Sequence, residues 1–568
     1  MEEFSQTKPI RRFWLLIKPD KKDIRSVYLY SIVNGLVNLS LPVGIQAIIN
    51  LIQGGQVNTS WIILVIFVLL GFVLNGVLSI SQMRIVENLQ QKIFTRAAFE
   101  FAFRIPRIKL EALYHHYAPE LMNRFFDIIS VQKGLSKMLM DFTTGAVQVV
   151  FGLILLSFYH PFFIIFSFIL VILVVAIFRI TARRGMITSL QESKNKYKVA
   201  HWLEELARNN VTFKLAGETD LPLSKTDTEV GNYIKYRENH FKVLVQQFSL
   251  LVGFKVVVAA GLLIMGSILV MEQQMNIGQF VAAEIIIIMV LNAVEKLILS
   301  LETIYDVLTS LEKIAQVTDL ELESNEGEKI SNHCENHGMA VELHGITFGY
   351  PSGPKRILDQ INLKLDPGEK LLITGENNTG KSTLLHLLAG VYQPSEGYIT
   401  YNGFAQGNLE VQNLRSVIGD CLMEEKVFEG TVMENIAMGR KNATVENVRW
   451  AVDRLGLNDF IKSLPRGYNS IIAPEGQRLS QGILDKILLA RSIADKPKLL
   501  LIKDAFKSIR FKEKKMIIDF ILSGEQNWTV VVISSDRYLA ERINNIVFLE
   551  NGKISDKGNY ESLKDKLI

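Results

Sequence analysis

Chemistry is concentrated in one short stretch of the chain, Gly375-Glu376-Asn377-Asn378-Thr379-Gly380-Lys381-Ser382-Thr383. The spacing G-x-x-x-x-G-K-[ST] is that of a phosphate-binding loop. Its backbone N–H groups converge on phosphate oxygens, Lys381 reaches the β- and γ-phosphates, and the Ser382 hydroxyl can ligate Mg²⁺. Four fixed positions alone would also fit a plain glycine turn, so the flanks decide. The apolar run Lys370-Leu371-Leu372-Ile373-Thr374 reads as a strand entering the loop, and Ser382 to Gly390 reads as the helix leaving it. That helix aims its N-terminal dipole at the anion. The chemistry implied is binding of a nucleotide such as ATP.

The elements that hold this loop occupy the C-terminal part of a 568-residue chain, too long for one domain. Its apolar share of 48% is high for a soluble enzyme and is concentrated in the first 305 residues, while the remainder has ordinary globular composition. A net charge of +4 says little by itself, and nothing points to nucleic acid. Cys334 and Cys421 imply no disulfide framework and fit a reducing compartment. His333-Cys334-Glu335-Asn336-His337 has metal-ligand residue types but sits in a polar stretch and lacks a fourth ligand. No cleavable signal is expected, because the N-terminus is polar and charged before anything apolar begins.

Crossing a bilayer takes about 20 apolar residues. Six runs qualify: Val27–Ile52, Trp61–Ser81, Met138–Tyr159, Phe162–Phe178, Phe248–Met271 and Ile277–Leu301. The segments after runs 1, 3 and 5 (Gly54 to Thr59, His160-Pro161, and Glu272 to Asn276) hold no Lys or Arg. The N-terminus holds Lys8, Arg11, Arg12, Lys18, Lys21, Lys22 and Arg25. The segment after run 2 holds Arg84, Lys92, Arg96, Arg104, Arg107 and Arg124, and the one after run 4 holds Arg179, Arg183 and Arg184. By the positive-inside rule both termini and both long loops are cytoplasmic, which places a multi-pass protein in the inner (cytoplasmic) membrane. The long loops, roughly 55 and 70 residues, show apolar residues at helical spacing and predict cytoplasmic extensions of the spans. Pro9 to Lys18 reads as an amphipathic interfacial helix with an aromatic anchor and basic flanks.

Three ionisable residues fall in or near the spans. Glu284 lies deep in the sixth, where a carboxylate is costly; it faces a substrate path or subunit contact, or it is a protonated, helix-packed Glu. Lys255 and Glu295 come out at similar depth, which predicts a structural ion pair. The organisation expected is an interfacial elbow over 1–25, a six-helix transmembrane domain over 26–305, a helical extension and linker over 306–338, and an α/β nucleotide-binding domain over 339–568.

Six spans with long inner loops, followed by a P-loop domain of roughly 230 residues, resemble a half-transporter of the ABC exporter family across essentially the whole chain. The local motifs agree in order. Phe348-Gly349-Tyr350 resembles the family's aromatic loop, which implies that Tyr350 stacks on adenine. Leu479-Ser480-Gln481-Gly482-Ile483 stands where the LSGGQ signature belongs, implying contact in trans with a partner's nucleotide. Pro497 to Ile502 resembles the strand before the Walker B acid, and Asn551-Gly552-Lys553-Ile554 the late hairpin. Pro119 to Asp127 looks like the first coupling-helix region, and Asn276 to Ala282 resembles the bacterial protein-secretion and toxin-export branch.

The resemblance also exposes departures. Hydrolysis in the family takes an Asp at the end of the Walker B strand and then a Glu that positions water; those positions hold Lys503 and Asp504. Lys503 reverses the charge on the metal side. Asp504, one methylene shorter than Glu, displaces the carboxylate by more than about an ångström, enough to cost orders of magnitude in rate. A register slip of one residue would make Asp504 the Walker B acid, at the cost of Ala505 in the catalytic position. Arg510 replaces the interface Asp, Ser535 the switch His, and Met423 the Q-loop glutamine. Asp536 or Glu475 are the neighbours able to compensate. The reading is a degenerate ATPase site with hydrolysis weak or absent in this chain alone, and Lys503 pairing directly with phosphate in part of the Mg²⁺ role.

Family exporters sandwich each ATP between the P-loop of one half and the signature of the other, so the resemblance implies a second half-transporter as partner. A heterodimer with an intact half would leave the site formed by Ser480 and Gly482 with the partner's P-loop able to turn over. A homodimer would instead be a non-cycling ATP-binding scaffold or regulator. No peptidase domain is expected before the spans, and the cargo stays open among lipid, peptide and unfolded protein.

Overall fold

The computed structural model describes residues 9–53, 59–114, 116–333, 338–351, 356–422 and 425–567. Two compact units emerge: residues 1–107 with 116–320, and residues 108–115 with 321–568.

The first unit is helical. Six helices among the described residues are long and apolar enough to cross a membrane: Ile10–Gln53, Thr59–Arg107, Ala118–Ser157, Phe162–Arg208, Leu221–Met271 and Ile277–Thr318. The apolar runs account for only part of each. The fourth continues past its apolar stretch to Arg208, and the fifth begins at Leu221, well before its own, both as polar, basic helix, because helix propensity persists where hydropathy ends. The sixth starts on a capping box in which Asn276 accepts from the Gln279 N–H at 2.8 Å and Gln279 accepts from the Asn276 N–H at 2.9 Å. It runs through the middle of the unit, packed on spans 1, 3, 4 and 5. Close approach of spans 3 and 6 depends on Gly152, where a Cβ would stand 2.7 Å from Val290 Cγ2. Lys255 and Glu295 pair at 2.6 Å. Glu284 is half-buried and makes no ion pair among the described residues. Between spans 1 and 2 a polar ladder runs through Gln82 to Ser31 (2.7 Å), Asn34 to Ser79 (3.1 Å), and Asn75 to Asn38. Inside a bilayer such groups must satisfy one another, and they hold the two helices in register.

The second unit carries all twelve described strands: β1 Val341–Phe348, β2 Leu358–Leu365, β3 Lys370–Thr374, β4 Glu396–Tyr401, β5 Phe404–Ala405, β6 Ile418–Cys421, β7 Gly430–Thr431, β8 Ile471–Ile472, β9 Leu499–Lys503, β10 Thr529–Ile533, β11 Asn545–Glu550 and β12 Lys553–Gly558. An antiparallel sheet has order β2-β1-β4-β5, and a six-stranded sheet has order β12-β11-β3-β10-β9-β6, parallel except for β12. Both faces of the central strands are buried, which is why they read as unbroken apolar runs. Leu371, Ile373, Leu499, Leu501, Val531 and Ile533 face one core together with Leu384 and Leu388 of the P-loop helix. Leu372, Leu500, Ile502, Val530 and Val532 face the other core, with the helix Gln481–Ile493.

One expectation is corrected. The piece of the first inner loop that joins the second unit is Ile108–His115, upstream of Pro119–Asp127. Ile108 bridges Leu322, the Lys109 N–H donates to the Glu321 carbonyl at 2.9 Å, and the Tyr114 ring lies 5.4 Å from that of Tyr350. Pro119–Asp127 is instead bound inside the first unit: Arg124 donates to Glu120 (3.0 Å) and Gln316 (3.1 Å), and Asp127 accepts from Tyr197. The aromatic side chains of the upstream segment have apolar surface to bury, while the charged ones of the downstream segment find partners on neighbouring helices.

Candidate nucleotide-binding site

The phosphate loop follows β3, and the parallel neighbours β10 and β11 fix its take-off. Gly375 sits at φ +136°, where a Cβ would fall 2.1 Å from the Leu549 carbonyl oxygen, so only glycine lets the chain turn there. Asn378 adopts φ +64° and Gly380 φ +94° before the helix Lys381–Leu388 begins. Thr379 Oγ1 donates to the Glu376 carbonyl at 3.0 Å, closing the loop on itself. Lys381 Nζ lies inside it and donates to the carbonyls of Gly375, at 2.8 Å, and Glu376. Burial holds the Lys381 ammonium below the ordinary lysine range, while the charges of Asp504 and Glu376 act in the opposite sense. Asn377, Ser382 and Thr383 complete the loop and first turn of the helix. Backbone donors at a helix N-terminus with one lysine among them suit the phosphates of ATP.

Tyr350 stands at the edge of this loop, with its hydroxyl 3.0 Å from Thr383 Oγ1. Its ring is held between Phe348 (5.2 Å between centroids), Tyr392 (5.7 Å) and Tyr114 (5.4 Å). Sequence reasoning singled out Tyr350 but missed Tyr114 and Tyr392. They lie far from it in the chain, and only their aromatic character could have hinted at them.

At the far edge of the loop, β9 ends on Lys503. Register puts Lys503 opposite Ile533 of β10, and Ile533 opposite Ile373 of β3. Strand alternation places Lys503 on the same face as Leu499 and Leu501, the face that carries the P-loop helix. Asp504 leaves the strand at φ +52°, its N–H donating to the Ile533 carbonyl at 3.0 Å and its carboxylate paired with Lys507 at 3.1 Å. Ala505 is fully buried. Ser535 is exposed beyond β10. Asp536 caps the next short helix through the Tyr538 N–H (2.9 Å) and pairs with Lys514 at 2.5 Å, and Glu475 pairs with Lys426 at 2.8 Å. Both candidate substitutes therefore already have cationic partners. Met423 and the stretch Cys334–His337 lie outside the described residues.

The signature-like residues open a separate helix. Leu479 and Ser480 lead into Gln481–Ile493, with Ser480 in the N-cap position and the Gln481 amide donating to Asp485 at 2.7 Å. A Cβ on Gly482 would stand 2.7 Å from the Ser508 carbonyl oxygen, so this helix packs tightly on the loop that follows β9. The donor set fits nucleotide phosphates. For a divalent ion, Ser382 offers one hydroxyl ligand, while the residue that ends β9 is a lysine, a side chain with no oxygen to give.

A bundle of membrane-crossing helices and a P-loop sheet domain on one chain define a membrane-embedded nucleotide-binding protein. The ABC transporter family matches residues 358–507, and the ABC transporter transmembrane region matches residues 27–294. The chain belongs to the ABC transporter family, as an exporter-type half-transporter with one transmembrane region and one ATP-binding domain. It is similar to the transport/processing ATP-binding protein ComA of Streptococcus pneumoniae (23% identical over 556 residues, 95% of this chain and 75% of ComA). It is also similar to the alpha-hemolysin translocation ATP-binding protein HlyB of Escherichia coli O157:H7 (27% over 357 residues, 62% of this chain and 50% of HlyB). A solved bacterial Atm1-family ABC exporter with ATP bound shares the fold, with a TM-score of 0.84 at 18% identity over 96% of this chain and 97% of that one.

Proposed function

We propose that this chain is the ATP-binding, hydrolysis-deficient half of an exporter and works beside a partner half-transporter that supplies turnover. The observation that carries this reading is Lys503 at the end of β9, on the P-loop face, followed by an Asp504 already paired with Lys507. A cation in that position can pair with phosphate but cannot hold a metal or accept a proton from water. Tyr350 and residues Gly375 to Thr383 bind ATP, with Mg²⁺ at Ser382 dispensable. Leu479, Ser480, Gln481 and Gly482 face a nucleotide held by the partner. A heterodimer is favoured because a homodimer would have no hydrolytic site and would act as a scaffold. The Lys and Arg distribution supports an inner-membrane position with cytoplasmic termini. HlyB is named for alpha-hemolysin translocation, and by that likeness a polypeptide is the proposed cargo.

The test is ATP hydrolysis by the purified chain in lipid discs, with Lys381→Ala as control. Background turnover with ATP still bound is the expected outcome. Turnover that disappears in Lys381→Ala would overturn the reading, since some substitute for the missing groups would then exist.

A further inference from the structure

At the membrane entry of the first unit, the helix Pro9–Ile17 turns through Lys18–Asp20 into Lys21–Gln53. Arg11, Trp14, Leu15 and Lys18 recur at i, i+3, i+4 and i+7, and so do Lys21, Ile24, Arg25 and Tyr28. Each set forms one helical face, and the two faces meet around a groove of about 480 Å³ with an almost wholly apolar wall. The groove is preformed. The opposite face of the first helix is fixed by Arg12, which pairs with Glu312 at 2.9 Å and Asp319 at 2.5 Å, and by Arg96, which donates to the Leu16 carbonyl at 3.3 Å.

Charge around the groove is one-sided. The acidic residues of the turn are taken from the other side: Asp20 pairs with Arg96 at 2.8 Å and Asp23 with Lys92 at 2.6 Å. Arg11, Lys18, Lys21 and Arg25 make no ion pair among the described residues, and all four are exposed. Between them Trp14 is 58% and Tyr28 41% exposed. Cations around an apolar floor, with amphipathic aromatics at the rim, match a molecule with an acyl chain and an anionic head. We propose that this groove binds one anionic phospholipid of the adjoining leaflet, its acyl chain along Leu15 and Ile24 and its phosphate among the four basic side chains. The bound lipid would anchor the first helix at the depth where span 1 enters the bilayer.

Quenching of Trp14 fluorescence tests this on the full chain in mixed lipid–detergent micelles, with Trp14→Phe identifying the Trp14 signal. Phosphatidylglycerol brominated on its acyl chain should quench Trp14 at a mole fraction at least about tenfold lower than brominated phosphatidylcholine, since each basic residue near an anionic lipid contributes roughly a factor of five. Arg11→Gln with Lys18→Gln should erase most of that preference while ATP binding, as a check of folding, persists. Lys21→Gln with Arg25→Gln supplies an independent second variant. Equal quenching by the two lipids in the unaltered protein would overturn the proposal by showing a non-selective lipid annulus, whatever becomes of the variants. A preference that survives both charge-neutralised pairs would overturn it too. So would displacement by glycerol 3-phosphate alone, which would mark a soluble-anion site.

Discussion

The loop after β3 and the ends of β9 and β10 are neighbours on one sheet, aligned through Ile373, Ile533 and Lys503, yet they differ in kind. The loop keeps its glycine at the one place where a Cβ would strike the Leu549 carbonyl, and its lysine lies in the backbone cradle. The strand ends carry a lysine, a shortened carboxylate with a cationic partner, and a serine. Binding a polyphosphate uses backbone donors and one fixed cation, a demand met by conformation. Hydrolysis adds an ordered metal and an activated water, which depend on particular side chains. Altering the second set leaves the first in place.

Reversing the charge at Lys503 is the sharpest way to break this contrast. Hydrogen bonds to charged groups contribute about 1.5–3 kcal/mol, so Lys503→Asp should weaken Mg²⁺-free ATP binding by roughly ten- to a hundredfold and make binding Mg²⁺-dependent. Nucleotide titrations with and without EDTA measure this; a strict Mg²⁺ requirement in the unaltered chain would remove the role given to Lys503. Next in size, Tyr350→Ala should cost about 2 kcal/mol if adenine stacks on the ring, whereas Tyr350→Phe, which loses only the Thr383 contact, should cost a few-fold at most. Equal losses in the two variants would locate the hydroxyl, and not the ring, as the contact. The smallest effect is in pH. Burial lowers the Lys381 pKa, so its charge is lost at a pH below the ordinary lysine range. ATP affinity should hold below that lowered value and fall as pH rises through it, by at most about tenfold per unit, with proton uptake on binding in the same window. Affinity that stays flat to pH 10.5, the ordinary lysine value, would show that the phosphates do not depend on this charge.

Legibility in the sequence followed distance along the chain. The P-loop was readable because its donors are consecutive, and Lys503 because strand positions can be counted from Pro497. The six spans were readable from hydropathy, and their cytoplasmic helical extensions from apolar residues at helical spacing; where each extension ends, as at Arg208, was not. The segment that joins the nucleotide-binding unit was placed about ten residues too late, since Pro119–Asp127 has motif-like residues while Tyr114 reveals its role only by meeting Tyr350 and Tyr392. Asp536 and Glu475 looked available as substitutes until Lys514 and Lys426 were found beside them.

The sequence by itself determined the number of spans, the phosphate-loop motif and the residue types at the end of β9, because each depends on local composition or on spacing within one element. Tertiary structure alone decided that Lys503 shares a face with the P-loop helix, that Tyr114 closes on Tyr350, and that four cations near the N-terminus surround an apolar groove while Asp20 and Asp23 pair elsewhere. These depend on which distant groups reach one another, and in a packed fold a charge or a ring takes its role from its nearest partner.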